Sequence, residues 1–536
     1  MSGPKPVFSQ ALRESTIALP VDATTVNAVR HRVGLRAWLL TAALFLVPMV
    51  TYWPATFHEF GLRDDYSNLR EAHEDPAVIL KFCASTARPI YGWLLQATYG
   101  QTTTVHSLQW MRFLSSLFLG AISLVMFRGL RSLGWSFNSS LGFAILVTLV
   151  PSAQVIASWA VGWPYAATAL LAIAGFFTAD GALSLGLQSG PARAAGQWIL
   201  ALVLMVVAAL IYQSSALFYV VPLAGALVAQ RRSFAQAMRW MAIHLGLVVA
   251  ALGLAYCTMS VLYAAGAFVK SGRVAFEHHW GGKLIWFFQQ GLPNALSLFV
   301  LNDDNHRDRG WYLACAAVVG LLLLAGAVVE WRRHGRTRGL IWTTGLCVLP
   351  VFALGVSLAA SERYATYRTI LAMTAVLLCF LVASVRALTR QWSIGSRWLA
   401  ATLIVAIASF AARHHAYALI AVPQGNEWNL IMQGAKEVRF GGASRPRIFA
   451  IAPMPGDIST ATIYHDEFGS LSSNSEWVPK EMFKRAIHDL HPEIPNIDSR
   501  YDFTVGYQLG TYVLPVGQHY DVVIDMRRLR PVHTDN

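Results

Sequence analysis

Of the 536 residues of this chain, 55% are hydrophobic and only 13% are charged, about half the charged share of an ordinary soluble domain. The apolar residues form runs of about 17–25 residues, the length that spans the roughly 30 Å hydrocarbon core of a bilayer. The net charge of +13 does not indicate a nucleic-acid partner, because the basic residues lie mainly between these runs and there act as topology signals. The composition therefore excludes an ordinary soluble protein and predicts a polytopic α-helical membrane protein.

Ten apolar segments follow one another along the chain. They are 35–53, 107–127, 139–157, 162–180, 197–230, 237–266, 310–331, 339–359, 369–388 and 398–422. The fifth would be about 50 Å long as one straight helix, which is too long for one crossing, and we expect it to turn back at 212–215. About eleven transmembrane helices result. Arg30, Arg32 and Arg36 precede the first and predict a cytoplasmic N-terminus, with the C-terminus outside.

The segments between and after these spans give the predicted domain organisation. It comprises a cytoplasmic N-terminal segment at 1–34, a transmembrane domain at 35–422 with long outer loops at 54–106 and 267–309, and a small periplasmic α/β domain at 423–536. The apolar stretch 284–301 contains glutamines and a proline, so we expect an amphipathic or re-entrant piece on the outer face. In the last domain we predict strands at 447–452 and 520–526 and a helix at 479–490.

An adjacent pair of acids, Asp64 and Asp65, stands in the first outer loop. Like-charge repulsion and desolvation raise the pKa of at least one carboxyl in such a pair when it lies in a partly dry pocket. A carboxylate tuned in this way is a suitable general base for a sugar hydroxyl. The alternative is a solvated pair of loop acids or the N-cap of a surface helix.

Polar and basic residues in the predicted outer loops form the remaining candidate site. The cations, which suit a phosphate group, are Arg70, Arg88, Lys270, Arg273, Arg363 and Arg368, and the candidate substrate contacts are Tyr66, Gln213, His278, His279 and Glu362. Contact with lipid headgroups is the alternative for each cation. Gln213 could equally join two helices by hydrogen bonds.

The sequence offers no pattern typical of a metal or nucleotide site. His278 and His279 are adjacent and lack a third ligand at suitable spacing, and the five cysteines show no disulfide or metal spacing. A phosphate-binding P-loop, a serine-hydrolase elbow and a dinucleotide fingerprint are all missing from the sequence. This disfavours ATP-driven transport and serine hydrolysis, and we predict no cofactor, with a divalent cation not indicated.

In layout, nearly the whole chain resembles the GT-C class of membrane glycosyltransferases, and within it the bacterial glucosyltransferases that modify lipopolysaccharide O-antigen. The matching pieces are RDDYSNLR at 63–70, ARPIYGWLL at 87–95, IYQSSALFY at 211–219, ERYATYRTIL at 362–371 and HDEFGSLSSNSEW at 465–477. One departure is Ala87, which stands where the pattern has a glycine before Arg-Pro.

The resemblance implies an inverting transferase on the periplasmic face of the bacterial inner membrane. It implies a polyprenyl-phosphate-linked sugar as donor, a glycan or glycolipid such as O-antigen as acceptor, and Asp64 or Asp65 as catalytic base, with Asp64 favoured. Arg70, Arg88, Arg363 and Arg368 would hold the donor phosphate or orient the acids.

Three other classes remain open at the level of sequence. A transporter or flippase of lipid-linked sugars would line a path near the bilayer midplane with its polar residues, whereas here the charges cluster at the outer face. A polymerase or ligase of lipid-linked glycans would share the donor but use cations instead of an acid pair. A scaffolding membrane protein would not need the charged first loop.

Overall fold

The computed structural model describes residues 23–75, 77–185, 191–230, 232–303, 309–441, 444–452, 464–507 and 519–526, with side chains from residue 39 onward. Most of the predicted N-terminal segment therefore lies outside the described residues. The α-helices are α1 Ala23–Thr56, α2 Asp64–Glu74, α3 Val78–Ser85, α4 Pro89–Tyr99, α5 Leu108–Ser132, α6 Phe137–Leu146, α7 Pro151–Ser158, α8 Trp163–Leu185, α9 Pro191–Ala216, α10 Val220–Ala229, α11 Phe234–Ala264, α12 Trp280–Trp286, α13 Leu292–Leu296, α14 Arg309–His334, α15 Arg336–Ala353, α16 Gly355–Ala359, α17 Leu371–Leu388, α18 Ile394–His414, α19 Val422–Glu437 and α20 Val478–Leu490. The strands are β1 Arg447–Ala452, β2 Asp502–Tyr507 and β3 Val522–Asp525.

Eight helical stretches among the described residues are long and apolar enough to cross a membrane, and α6 with α7, bent by 51°, would make a ninth. The stretches are Leu39–Thr56, Leu108–Ser132, Ala160–Ser184, Pro191–Ala229, Phe234–Ala264, Gly310–His334, Leu371–Gln391 and Ile394–Glu437. The predicted class, a polytopic helical membrane protein, is confirmed. The predicted count of eleven is not confirmed, because these stretches take α9 and α10 together and do not include α15, which begins with the charged residues Arg336 and Arg338.

The segment predicted as a hairpin does turn back on itself. Its backbone leaves the helical conformation at Tyr212 (φ −155°, ψ 106°), where the ring lies 4.1 Å from that of Tyr165 at the start of α8. Thirteen residues further on, the carbonyl of Gly225 accepts a hydrogen bond from Trp135, just past the end of α5. Since α5 and α8 both run the length of the bundle, α10 returns toward the end from which α9 came.

One end of the bundle holds the junction between α1 and the first loop. The Arg112 side chain is fully buried near the start of α5. Its guanidinium donates hydrogen bonds to the carbonyl oxygens of Thr56 (3.1 Å), His58 (2.7 Å) and Phe60 (2.8 Å). These bonds fix the chain as it leaves α1 and leads into Asp64, so we call this the acid-pair end.

The opposite end of the bundle carries a concentration of arginines, and we call it the arginine end. The arginines are Arg232, Arg333, Arg338, Arg386, Arg390 and Arg397. Arg338 donates hydrogen bonds to the carbonyls of Leu227 and Gln230 at the end of α10, each at 2.8 Å. α5 has 25 residues, which at about 1.5 Å per residue separates the two ends by roughly 37 Å.

The apolar stretch 284–301, in the predicted second outer loop, begins and ends at the acid-pair end. Lys283 in α12 donates hydrogen bonds to the carbonyls of Ala360 and Glu362, both at 2.7 Å. After α13, the Asn302 amide donates to the Tyr367 hydroxyl at 2.8 Å. The stretch therefore returns without crossing the bundle, in agreement with the prediction of an amphipathic or re-entrant piece.

The last part of the chain is joined to the bundle by a continuous helical stretch. Ile394–Glu437 contains 44 residues, or about 66 Å of helix, roughly twice the hydrocarbon thickness. This helical stretch runs through residue 423, where the sequence predicts a domain boundary. The predicted strands and helix are present as β1, β3 and α20, while β2 was missed; β1 pairs in parallel with both neighbours in the order β2-β1-β3.

We expect Gly434→Ala in α19 to loosen the contact between this helix and the sheet. An added Cβ would lie 2.4 Å from Cγ1 of Ile524, and overpacking of this kind costs about 1–3 kcal/mol. Thermal unfolding of the detergent-solubilised protein measures the effect. Gly246→Ala in α11 is the control, since no atom lies within 4 Å of its added Cβ; equal unfolding temperatures for the two variants would contradict the expected clash.

Candidate active site

The two acids of the first loop occupy different environments at the start of α2. Asp65 is fully buried, and its carboxylate accepts hydrogen bonds from the Leu62 amide at 2.8 Å and the Tyr99 hydroxyl at 2.5 Å. Asp64, one residue earlier, is exposed. Both lie in the first turn of the helix, where the helix dipole stabilises negative charge. The structure thus separates a carboxylate held in the protein interior from one that a second molecule can reach.

Asp64 is surrounded by arginines although its surface is open. Enough protein lies around its carboxyl that desolvation raises its pKa, and Arg368, Arg63, Arg88 and Arg273 oppose that rise in decreasing order. A carboxylate that is accessible yet desolvated lies in a recess of the surface. The structure therefore brings three of the predicted cations together with Asp64 and adds Arg63, which sequence reasoning missed.

Arg63 is held in a strained backbone conformation by a distant part of the chain. Its φ of 44° and ψ of −101° are unusual for a residue with a side chain, and such strain costs on the order of 1–3 kcal/mol. Its amide donates to Ser472 Oγ at 2.9 Å, and its guanidinium contacts Ser470 Oγ at 3.4 Å and Glu467 Oε1 at 3.3 Å. The backbone immediately before Asp64 is thus set by residues about 400 positions later.

Glu467 also contacts Arg368, whose guanidinium nitrogen lies 3.5 Å from Oε1 of the same carboxyl. Glu467 is fully buried, and burial raises its pKa while Arg63 and Arg368 lower it. The Arg368 guanidinium lies over the Trp159 ring, 4.5 Å from its centroid, and donates a 2.6 Å hydrogen bond to the Tyr364 hydroxyl. Sequence reasoning noted the segment at 465–477 only as part of a resemblance and assigned it no residue of the site.

The loop before Arg88 adopts the conformation that its expected glycine would favour. Ala87 has a φ of 62°, a left-handed conformation that costs a residue with a side chain about 1–2 kcal/mol. Its amide donates to the Tyr263 hydroxyl at 3.1 Å, and its carbonyl accepts from the Gln213 amide at 2.6 Å. Gln213 therefore fixes the loop, while the Arg88 guanidinium donates to Thr86 Oγ1 at 2.9 and 3.0 Å.

Three tyrosines form a wall beside Arg88. Its guanidinium lies 5.7 Å from the Tyr91 ring and 5.5 Å from the Tyr212 ring, measured to the centroids. The hydroxyls of Tyr91 and Tyr165 are 2.8 Å apart, and the Tyr165 and Tyr212 rings lie 4.1 Å apart. No carboxylate lies within ion-pair distance of Arg88 in the described ranges, so its direct contacts are a hydroxyl and aromatic faces.

Two predicted residues of the first loop lie away from this recess. Arg70 is engaged by Glu481 of α20 at 2.8 Å and also contacts Glu74, so it joins α2 to α20. Tyr66 is fully buried; its hydroxyl accepts a hydrogen bond from the Gly61 amide at 3.2 Å, and its ring stacks on Trp428 at 5.6 Å. The structure does not bring either side chain to Asp64.

The loop at 267–309, predicted as the second outer loop, lies beside the turn at 360–368. Phe276 pairs with Ala360 in an isolated antiparallel bridge, and Arg273 contacts Glu362 at 3.6 Å. The other predicted residues here are exposed at the surface: Lys270, His278, His279 and Arg363. Among the residues that the structure describes, no three His, Cys, Asp or Glu side chains are grouped to hold a metal ion.

Comparison with known proteins gives few matches. No protein-family model matches the sequence, and no curated protein sequence matches it. Two solved structures to which the chain is similar are both of the Archaeoglobus fulgidus oligosaccharyltransferase. In the complex with Zn and sulfate, the identity is 11%, the match covers 84% of this chain and 61% of that one, and the TM-score is 0.40. In the form tethered with an acceptor peptide containing the NVT sequon via a disulfide bond, the identity is 12%, the match covers 84% of this chain and 63% of that one, and the TM-score is 0.41. The chain thus spans about three fifths of the length of the archaeal chains.

We expect Asp65 to make the protein less stable as the pH rises from about 4 to about 7. Burial raises its pKa from 3.8 to about 7, against the hydrogen bonds from Tyr99 and Leu62. Below pH 4 the Asp65 carboxyl is protonated in both the folded and the unfolded chain. Between the two values the unfolded chain loses a proton that the folded protein retains, so the free energy of unfolding falls, by an amount on the order of a few kcal/mol.

Thermal unfolding of the wild type and Asp65→Asn across pH 4–7.5 measures this contribution. The variant loses a well-placed acceptor and unfolds at a lower temperature at pH 4, but its stability declines less with pH. Parallel curves for the two proteins would show that Asp65 does not titrate in this interval.

Proposed function

We propose that this protein is a GT-C-like inverting glycosyltransferase that uses a polyprenyl-phosphate-linked sugar, with Asp64 as the catalytic base. The observation that carries the proposal is the accessible, desolvated carboxylate of Asp64 facing several arginines. Asp65 and Tyr99 would then position the start of α2 and not contact the substrate. The choice between the two acids, open in the sequence, rests on this difference in exposure.

Asp64 has the chemistry that activation of a sugar hydroxyl requires. A base works best when its pKa approaches the working pH, and desolvation moves the pKa of Asp64 in that direction. The acceptor oxygen would attack the anomeric carbon as its proton passes to Asp64. The bond from that carbon to the phosphate oxygen would break on the opposite face, so that the configuration inverts and the lipid phosphate leaves.

The surrounding arginines would stabilise the charge on the leaving phosphate. Arg63 and Arg368 contact the carboxylate of Glu467, and Asp466 also stabilises the charged form of Arg368. Arg88 is a further cation near Asp64, and no carboxylate lies within ion-pair distance of it in the described part of the chain. Positioned cations of this kind stabilise a developing oxyanion, and because a phosphate is already a good leaving group, the reaction needs no general acid.

The charge asymmetry of the bundle supports a location of this chemistry on the outer, periplasmic face of a bacterial inner membrane. Arginines concentrate at the opposite end, and basic loops are retained on the cytoplasmic side. A prenyl chain in the bilayer could then present its phosphate to the recess, while the acceptor, a glycan such as O-antigen, approaches from the aqueous side. We propose a hexose, such as glucose, as the sugar.

We expect Asp64→Asn to lower sugar transfer by about 10²–10⁴-fold, the range that a general base contributes. The measurement is transfer of radiolabelled glucose from polyprenyl-phosphate glucose into membrane glycan, in membranes with matched amounts of protein. Asp75→Asn, an exposed acid at the end of the same helix, is the control and retains transfer. Full activity of Asp64→Asn would refute the proposed base, whereas loss of lipid-linked sugar flipping with transfer intact would favour a flippase.

We expect Arg88→Gln to move the acid limb of the pH–activity profile to higher pH. Arg88 lowers the pKa of Asp64, so its removal lets the pKa rise further and leaves less ionised base at a given pH. The limb in kcat/KM reports the free enzyme. The control is Lys81→Gln, which removes an exposed cation of the same loop and leaves the acid limb at the same pH. If Arg88→Gln did not shift the acid limb, that limb would not report the ionisation of Asp64.

A further inference from the structure

A cavity of about 600 Å³ lies at the arginine end of the bundle, where the ends of α10, α14 and α17 meet the beginnings of α15 and α18. It is lined by the six arginines of that end together with Glu330, His334 and Trp342. Because α5 separates the two ends by roughly 37 Å, this cavity is distinct from the recess at Asp64. Nothing proposed above for the transfer reaction uses it.

The lining of the cavity carries more positive charge than its acids can balance. Its one carboxylate, Glu330, lies 3.3 Å from the Arg338 guanidinium and 3.2 Å from the His334 ring. Arg338 is also engaged by backbone carbonyls of α10, and Arg333 donates to the carbonyl of Ala387 at 2.9 Å. Those two cations are therefore part of the packing of the helices.

Three other arginines of the lining have no such partner. Across the described part of the chain, no acid lies within ion-pair distance of Arg386, Arg390 or Arg397. The Nε atom of Arg397 is buried and lacks a hydrogen-bond acceptor. A buried donor without an acceptor is costly, and an anion in the cavity would satisfy it and neutralise neighbouring charge.

The surroundings of the cavity place it at the depth of lipid headgroups. Trp331, Trp392 and Trp398, each next to or near a lining residue in sequence, are 45%, 51% and 41% exposed. Tryptophans at the surface of a membrane bundle favour the boundary between hydrocarbon and water. Beyond them, Leu324 in α14 and Leu399 in α18 present exposed apolar side chains on which acyl chains can pack.

We propose that this cavity binds the phosphate headgroup of an anionic membrane lipid. The unpaired arginines supply the charge, the guanidinium geometry suits phosphate oxygens, and the tryptophan-flanked apolar helices accept the chains. Such a lipid joins α18 to α14 and α17 at an end where α18 is otherwise exposed along most of its length. The site stabilises the bundle and takes no part in sugar transfer.

The test measures lipid retention by native mass spectrometry of the full-length protein in detergent, with phosphatidylglycerol and phosphatidylcholine added in turn. The wild type is expected to retain one phosphatidylglycerol under conditions that remove phosphatidylcholine. In the triple variant Arg386→Gln, Arg390→Gln, Arg397→Gln, the apparent affinity for phosphatidylglycerol falls roughly 10- to 100-fold.

The matched control is Arg128→Gln, Arg332→Gln, Arg336→Gln, which removes three exposed arginines from the same end without touching the cavity lining. It retains the wild-type preference. An equal loss of phosphatidylglycerol affinity in both triple variants would overturn the proposal, because the preference for phosphatidylglycerol would then depend on the overall charge of this end. Displacement of the lipid by millimolar inorganic phosphate, with the same thermal stabilisation, would also overturn it by indicating a soluble anion.

Discussion

The candidate site depends on one buried carboxylate shared by two arginines. Glu467 lies between Arg63, which precedes the acid pair, and Arg368, from the turn before α17. Desolvation of a buried charge costs several kcal/mol unless partners compensate it. Removal of either arginine would therefore leave the buried Glu467 with less compensation for that cost. The interaction ties together three segments that are far apart in sequence, and it holds two guanidinium groups near Asp64.

Much of the fold is readable from the sequence because a bilayer imposes length and polarity on each crossing. The reversal between α9 and α10 follows from a stretch that is too long for one span and carries arginine near both ends. The parallel strand β2 was missed because DFTVGY is short and contains Asp502 and Gly506, residue types that are depleted in strands. The helix that continues from α18 into α19 was missed because the composition changes at residue 423 although the backbone does not.

The site was predictable in its residue types but not in its assembly. The sequence does not distinguish Asp64 from Asp65, because they are identical neighbouring residues. In the fold, it is Asp65 whose carboxylate is buried and accepts hydrogen bonds from Tyr99 and Leu62. Arg70 lies in the same motif as the acids, yet it forms an ion pair with Glu481 of α20 and thereby joins α2 to α20. Arg63 gave no signal in the sequence, because its role arises from a backbone conformation set by Ser472, 409 positions away.

That separation in sequence has a consequence for biogenesis. A ribosome adds about 5–20 residues per second, so the stretch between Arg63 and Ser472 takes roughly 20 to 80 s to synthesise. For most of that interval the first loop has left the ribosome while the partners of Arg63 have not yet been translated. A nascent or prematurely terminated chain therefore lacks the contacts that fix the backbone before its acid pair. Only a chain that includes the C-terminal segment can form the complete recess.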